Sequence, residues 1–481
     1  MLSFLDILVI SIYFIIISGL GYYYSKRQKN TKDFFKGGER IPAWAAGLSL
    51  FGTALSPITF MAIPAKTYSS DWSYFLLNMS IFLAIPLVVN LFIPFYRRKN
   101  IKTAYEYLEI RFNLIIRLMG SGCFILYQIG RMGVVLFLPS IALNLVTDIN
   151  IFVCISLMGG ISLIYTLMGG IEAVIWTDVV QVFVLMIGVT LSLLMIVSDT
   201  DGGLIGVIES ARLDNKFNTF DLTFSLKEPT VWVMLLGGFF VNLTTYGTDH
   251  TMVQRYLVTP TKEKAQRSVW IGALLTIPST LIFFFVGTAL FVFYKMNPES
   301  LHSNFITNDA IFPWYIVTQL PMGISGLLIA AIFAAAMSSL SSSMNSGAAS
   351  FSVDIYDRLG LGKNVGDIKT ARWTTFCIGA LGILFAFFMA SYDIKSLWDE
   401  FNKILGLIFG SLGGVFLLGL ITKKANSKGV LVGIILSFFT QILVSYFNTV
   451  HLLLYAASGV ISCFVLGYIS SHFFISNNQT R

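Results

Sequence analysis

Thr53-Ala54-Leu55-Ser56-Pro57-Ile58-Thr59 interrupts an otherwise apolar stretch, residues 43–66. Pro57 has no N–H and disfavours helical geometry at Ser56. The pattern therefore predicts a helix that stops and restarts here. A second interruption, Leu243-Thr244-Thr245-Tyr246-Gly247-Thr248-Asp249, falls within 230–257, with Gly247 amid polar residues. The two lie in the second and seventh apolar spans, five apart. Discontinuous helices at matching places in two halves point to an inverted-repeat transporter with its site at the membrane midplane. The alternative is a Pro57 kink that only shapes packing.

The surrounding chain fits a membrane bundle. Of its 481 residues, 56% are hydrophobic and 12% charged, and the mean hydropathy is +0.77. Such a composition belongs to a polytopic helical membrane protein. Spans of ~20 apolar residues cross a bilayer core. About thirteen are expected, at 4–25, 43–66, 72–96, 114–147, 150–168, 173–198, 230–257, 267–295, 323–350, 371–391, 397–421, 427–447 and 450–474. The first lacks a basic leader and an Ala-x-Ala site, so it is expected to be a retained helix. The chain is expected to be one transmembrane domain over 1–481. Within it, 4–25 is an extra N-terminal helix, 43–198 and 230–421 are the repeats, and 427–474 holds extra C-terminal helices.

With the N-terminus outside, the cytoplasmic segments hold 23 of the 32 Lys and Arg residues, Arg255 among them. This satisfies the positive-inside rule and puts the C-terminus in the cytoplasm of a cell-membrane protein. The largest outer loop, 199–228, is mildly acidic and long enough for a short helix. The net charge of +7 is spread over short loops, which argues against nucleic-acid binding. The four cysteines all fall in apolar spans without CxxC spacing, so no disulfide frame or thiolate metal site is expected. There is no Walker motif, no HExxH, no GxSxG and no cluster among the four histidines, which argues against an ATP-driven pump and against an enzyme.

The span 323–350 carries Met337-Ser338-Ser339-Leu340-Ser341-Ser342-Ser343. On a helix, Ser338, Ser341, Ser342 and Asn345 share one face, with Ser339 and Ser343 beside it. Small residues for close helix packing, each hydroxyl bonded back to its own helix, are one explanation. Neutral oxygens gathered to hold a hard monovalent cation are the other, with sodium the leading candidate. Carbonyls released at the Ser56-Pro57 break would complete such a site.

Asp178 and Arg131 stand out among the ionisable residues of the spans. Asp178 is either an interfacial carboxylate that meets water or an anionic ligand for a second sodium shared with the serine face. Arg131 lies near the middle of its span, too deep to snorkel easily. Its partner is either Asp178 or the carboxylate of a substrate, which a guanidinium grips in bidentate fashion. Ser56 and Thr59 flank Pro57, while Tyr74 and Asn78 share a face one turn apart. Together they suit a polyhydroxylated or amide-bearing ligand. Interhelical hydrogen bonding is the alternative for Tyr74 and Asn78.

Gly169-Gly170-Ile171-Glu172-Ala173-Val174-Ile175-Trp176-Thr177-Asp178, Met252-Val253-Gln254-Arg255-Tyr256-Leu257 and Ala334-Ala335-Ala336-Met337-Ser338-Ser339-Leu340-Ser341-Ser342-Ser343 resemble hallmark segments of the sodium/solute symporter family. Ser56-Pro57-Ile58-Thr59-Phe60-Met61-Ala62 and Ile129-Gly130-Arg131 are most similar to bacterial sodium/sialic acid symporters. The resemblance implies an all-α, LeuT-like 5+5 inverted-repeat fold and two-sodium symport of sialic acid (N-acetylneuraminate) by alternating access. It implies a first sodium on the carbonyls of Gly52, Leu55 and Ala335 and the hydroxyls of Ser338 and Ser339. It implies a second on Asp178, Ser338, Ser341 and Ser342. The substrate carboxylate would pair with Arg131, near Ser56 and Thr59. This chain departs from the family pattern at Pro57, Tyr74, Asn78 and Met337, which affects substrate preference rather than the ion sites. Symport of another solute (neutral sugar, proline or vitamin carboxylate) is the rival function. A non-transporting membrane sensor is a weaker one, since no signalling domain is evident. No obligate protein partner is expected.

Overall fold

The computed structural model describes residues 2–98, 101–147, 149–301, 310–361, 367–391 and 410–474. The described residues form helices and no strand. The main helices, numbered here in chain order, are α1 (Phe4–Ser25), α2 (Ala43–Ala54), α3 (Pro57–Ser69), α4 (Phe75–Arg98), α5 (Leu114–Thr147), α6 (Ile151–Ser198), α7 (Val231–Thr248), α8 (His250–Leu257), α9 (Lys262–Met296), α10 (Ile324–Ser350), α11 (Ile368–Ala390), α12 (Ser427–Phe447) and α13 (Tyr455–Phe473). Ten described helices are long and apolar enough to cross a membrane, and the bent pair α2–α3 makes an eleventh. The α6 helix contains two of the expected spans. They turn at Gly170 (φ 56°, ψ −153°), where a Cβ would meet the Phe34 carbonyl oxygen at 2.6 Å. The expected span 397–421 lies partly outside the described residues, which resume at Gly410.

The first break is where the sequence puts it. The α2 helix ends at Ala54, Leu55 leaves helical geometry (ψ 89°), and α3 starts at Pro57 after a bend of 56°. Ser56 is the N-cap, accepting from the Thr59 N–H at 3.2 Å. Pro57 takes the first helical position, which needs no donor. Its missing N–H has a further consequence. The Thr53 carbonyl, four residues earlier, has no helical donor and accepts instead from Arg131 at 3.1 Å. The Gly52 carbonyl accepts from Ser338 at 3.0 Å.

The second break lies at Asp249, the last residue of the expected interruption. Asp249 (φ −71°, ψ 117°) ends α7 and caps α8 through the Thr251 N–H at 2.7 Å. A capping carboxylate makes this break, as N-cap preferences favour. Gly247 is still helical. A Cβ there would meet the Phe92 ring at 3.0 Å, so this glycine serves close packing.

The α10 helix is the axis of the bundle, with every residue from 328 to 350 buried. This explains its small residues, since neighbouring backbones approach closely all round it. Its N-terminus is capped from α1: Asp6 accepts from the Gly323 and Gly326 N–H groups, both at 2.8 Å. A carboxylate there satisfies orphan donors and complements the helix dipole. The opposite face of α1 exposes Phe4, Leu5, Leu8, Ile12 and Ile15, as a lipid-facing stripe does.

At the other end of α10 an ion network ties three segments together. Arg117 bonds Glu109 and Asp354, both at 2.7 Å, and Arg358 reaches Glu109 at 2.5 Å. Hydrogen bonds from Arg358, joined by those of Arg117, hold the Glu109 carboxyl at about 2, below its ordinary 4.5. A carboxyl depressed by folding stabilises the fold above its ordinary value and loses that contribution as pH falls toward the lowered one. Detergent-solubilised wild-type protein should therefore lose thermal stability between pH 4.5 and about 2. A Glu109→Gln variant, already less stable at neutral pH, should fall less over the same range in thermal-shift measurements.

Candidate substrate and ion sites

The two breaks face a common cavity of about 290 Å³. That is close to the lower edge of small-molecule sites, roughly 300–1,000 Å³. The first break contributes Leu55, Ser56 and Thr59, and the second contributes Thr245, Tyr246 and Asp249. Asn78 and Arg131 complete the wall. Four of the five expected substrate residues, Ser56, Thr59, Asn78 and Arg131, thus meet in one place. Tyr74 is not among the lining residues. It precedes the first turn of α4, with the Lys66 ammonium 4.8 Å from its ring centroid.

The structure adds residues that were not singled out. Asn242, Thr245 and Asp249 line the cavity, as do Thr276, Ser279 and Thr280 of α9. Each trio keeps helical spacing; Thr276, Ser279 and Thr280 are set among apolar residues, whereas Thr245 and Asp249 belong to the polar interruption of the second broken span. Arg131 and Asp249 place opposite charges on the same cavity. Among the described residues no carboxylate comes within the 4.0 Å ion-pair distance of Arg131.

Of the first set of expected ion ligands, Gly52, Ala335 and Ser338 meet across the break. Ser338 Oγ lies 3.0 Å from the Gly52 carbonyl and 3.2 Å from the Ala335 carbonyl. Ser339 Oγ is buried without a hydrogen-bond partner, and Leu55 is the non-helical residue between α2 and Ser56. Hydroxyls and carbonyls released by a broken helix are the donor set a hard monovalent cation takes.

At the second set, Asp178 is fully buried rather than interfacial. Its Oδ2 accepts from Ser49 at 2.5 Å and from Arg255 at 3.0 Å. Arg255, not Arg131, is therefore its ion partner. Arg255 was counted with the cytoplasmic loop charges, yet it is fully buried in α8, all eight residues of which are buried. It also donates to Ser342 Oγ at 2.5 Å and to the Thr251 carbonyl at 2.7 Å. Ser341 Oγ donates back to the Ser338 carbonyl at 3.2 Å, the within-helix bonding expected of a packing serine. Asp178 Oδ1 is buried without a partner, which leaves lone pairs for a cation. Among the described residues no group of three or more His, Cys, Asp or Glu residues is arranged to hold a metal ion.

Known proteins agree with this architecture. Residues 34–437 match the model of the sodium:solute symporter family. The chain is 39% identical to the sodium/sialic acid symporter NanT of Aliivibrio fischeri over 464 residues, 96% of this chain and 92% of the relative. It superposes on the substrate-bound, outward-open state of a sodium-coupled sialic acid symporter with a TM-score of 0.92 at 38% identity. That match covers 98% of both chains. Mhp1, a nucleobase-cation-symport-1 family transporter, shares the fold alone, with a TM-score of 0.58 at 15% identity over 92% of this chain and 96% of its own. This multi-pass membrane transporter has the LeuT-like fold and belongs to the sodium:solute symporter family.

Proposed function

We propose that the protein carries sialic acid into the cell together with sodium, by alternating access around the cavity between its two broken helices. The carrying observation is Arg131, set in the cavity wall with Ser56, Thr59 and Asn78 and, among the described residues, with no carboxylate within ion-pair distance. The carboxylate of a sialic acid would take that fork, and the hydroxyls and amide would meet its polar substituents. A neutral solute would leave the guanidinium unpaired, which disfavours it. The relative and the superposing structure named above are both described as sodium-coupled sialic acid symporters, which supports this substrate.

The coupling ions belong to the same proposal. One sodium would bind Gly52, Leu55, Ala335, Ser338 and Ser339. Its binding would fix the break between α2 and α3 and so preform the wall bearing Ser56 and Thr59. A second would bind Asp178 with Ser338, Ser341 and Ser342. Each inward sodium contributes ~2.3 kcal/mol per 100 mV, offset by one charge for an anionic substrate. Residues 43–198 and 230–421 are the repeats in this scheme, with the N-terminus outside and the C-terminus in the cytoplasm of a cell-membrane protein.

Proteoliposomes with an inward sodium gradient test the proposal. Labelled sialic acid should accumulate with sodium and not with choline, and unlabelled glucose or proline should not compete. Absence of sodium-dependent accumulation would overturn it.

A further inference from the structure

Asp178 stands on α6 and the serines proposed to share the second sodium with it stand on α10, so that ion needs those two helices at a fixed separation and rotation. A residue from outside both repeats spans them. The Tyr13 hydroxyl of α1 accepts from Gln181 Nε2 at 3.3 Å and donates to Met337 Sδ at 3.7 Å. Gln181 lies three residues past Asp178, on the same side of α6. Met337 directly precedes Ser338. Tyr165, from the other half of α6, donates to the Met337 carbonyl at 3.0 Å.

The helix that brings Tyr13 there is pinned on either side of it. Toward the N-terminus, Asp6 caps α10. Toward the C-terminus, Gly21 lies so close to Tyr165 that a Cβ would meet the Tyr165 Cβ at 2.5 Å. Asp6, Tyr13, Ile17, Gly21 and Tyr24 form the buried stripe of α1. Tyr13 is 4% exposed, and a phenol is costly to bury in a membrane protein unless its hydroxyl has partners. Bulk alone would be served by phenylalanine. Gln181 Oε1 and Asp178 Oδ1 are both buried without a partner, so the polar chain from Tyr13 ends beside unfilled lone pairs.

We propose that Tyr13 is a positioning residue for the second sodium: through Gln181 and Met337 its hydroxyl sets the spacing of Asp178 from the serine face. This rests on the two-sodium scheme above. It makes α1, which lies outside the two repeats, part of the coupling machinery rather than a peripheral anchor.

The test is the sodium dependence of sialic acid uptake by the full chain in proteoliposomes, compared across wild type, Tyr13→Phe, Gln181→Leu and the pair together. Loss of the hydroxyl should raise the half-saturating sodium concentration about 3- to 10-fold, the scale of one hydrogen bond. The Hill coefficient should drop, while KM for sialic acid at saturating sodium stays at the wild-type value. Because both substitutions cut one link, the pair should shift no further than either alone. A sodium curve unchanged in Tyr13→Phe, or a loss of rate equal at all sodium concentrations, would overturn the proposal. The double variant Asp178→Asn/Arg255→Met separates the two levels. If it lowers the Hill coefficient while Tyr13→Phe does not, only the role of Tyr13 fails. If it leaves the coefficient unchanged, the second site itself fails and the role of Tyr13 with it.

Discussion

Arg131→Ala is expected to reduce sodium-driven sialic acid uptake by about 100-fold or more, with sodium binding close to wild type. Truncating one partner of a buried, hydrogen-bonded charge pair costs roughly 2–5 kcal/mol, and each ~1.4 kcal/mol is tenfold. Arg131 fits that case once a carboxylate is bound. Its one hydrogen bond to the described protein goes to the Thr53 carbonyl at 3.1 Å. Arg131→Lys keeps the charge and loses the planar fork, so it should recover only part of the rate. Initial uptake rates at saturating sodium measure the loss, and thermal shift in sodium against choline reports ion binding separately. A deficit below tenfold would remove Arg131 as the carboxylate partner. The contact with Thr53 adds a coupling route. The guanidinium that would hold the substrate also holds a carbonyl freed by the break, one residue from the Gly52 carbonyl assigned to the first sodium.

The parts of the site that were legible in the sequence are those set by covalent properties. Pro57 lacks an N–H wherever it sits, so the first break fell where expected and released the carbonyls that Arg131 and the proposed first sodium would use. The second break fell at the last residue of the expected interruption, but spacing could not say which of Gly247 and Asp249 makes it. Only packing shows that Gly247 accommodates Phe92 while Asp249 caps α8. The serine face was legible because helical spacing alone puts Ser338, Ser341 and Ser342 together. Tyr74 and Asn78 could not be told apart by spacing. The helix starts only after Tyr74, so Asn78 reaches the cavity wall and Tyr74 does not. Arg255 was hidden for a different reason. Charge counting treats an Arg at the end of a span as a loop residue, and nothing local reveals that the whole of α8 is buried.

That buried arginine leads to the second large effect. Asp178 and Arg255 have side chains with no exposed surface and face each other at 3.0 Å. Removing one member of such a pair strands an uncompensated charge and costs about 3–5 kcal/mol. Asp178→Asn alone should therefore lower the melting temperature sharply, and a transport defect in it cannot distinguish ion binding from folding. Replacing a buried pair together by groups of similar volume is often near neutral. Asp178→Asn/Arg255→Met should accordingly regain most of the lost thermal stability, since Ser49 and Ser342 keep only neutral neighbours. Its sodium response then isolates the ion. If Asp178 Oδ1, unpartnered among the described residues, ligates the second sodium, the stable double variant should show a Hill coefficient near one and a smaller accumulation ratio at the same membrane potential. If the pair only locks α8 against α6, the double variant should transport with wild-type sodium cooperativity. The first outcome would place Arg255 as the resident countercharge that keeps the site neutral between ions. The second would confine sodium to the oxygens that Pro57 releases.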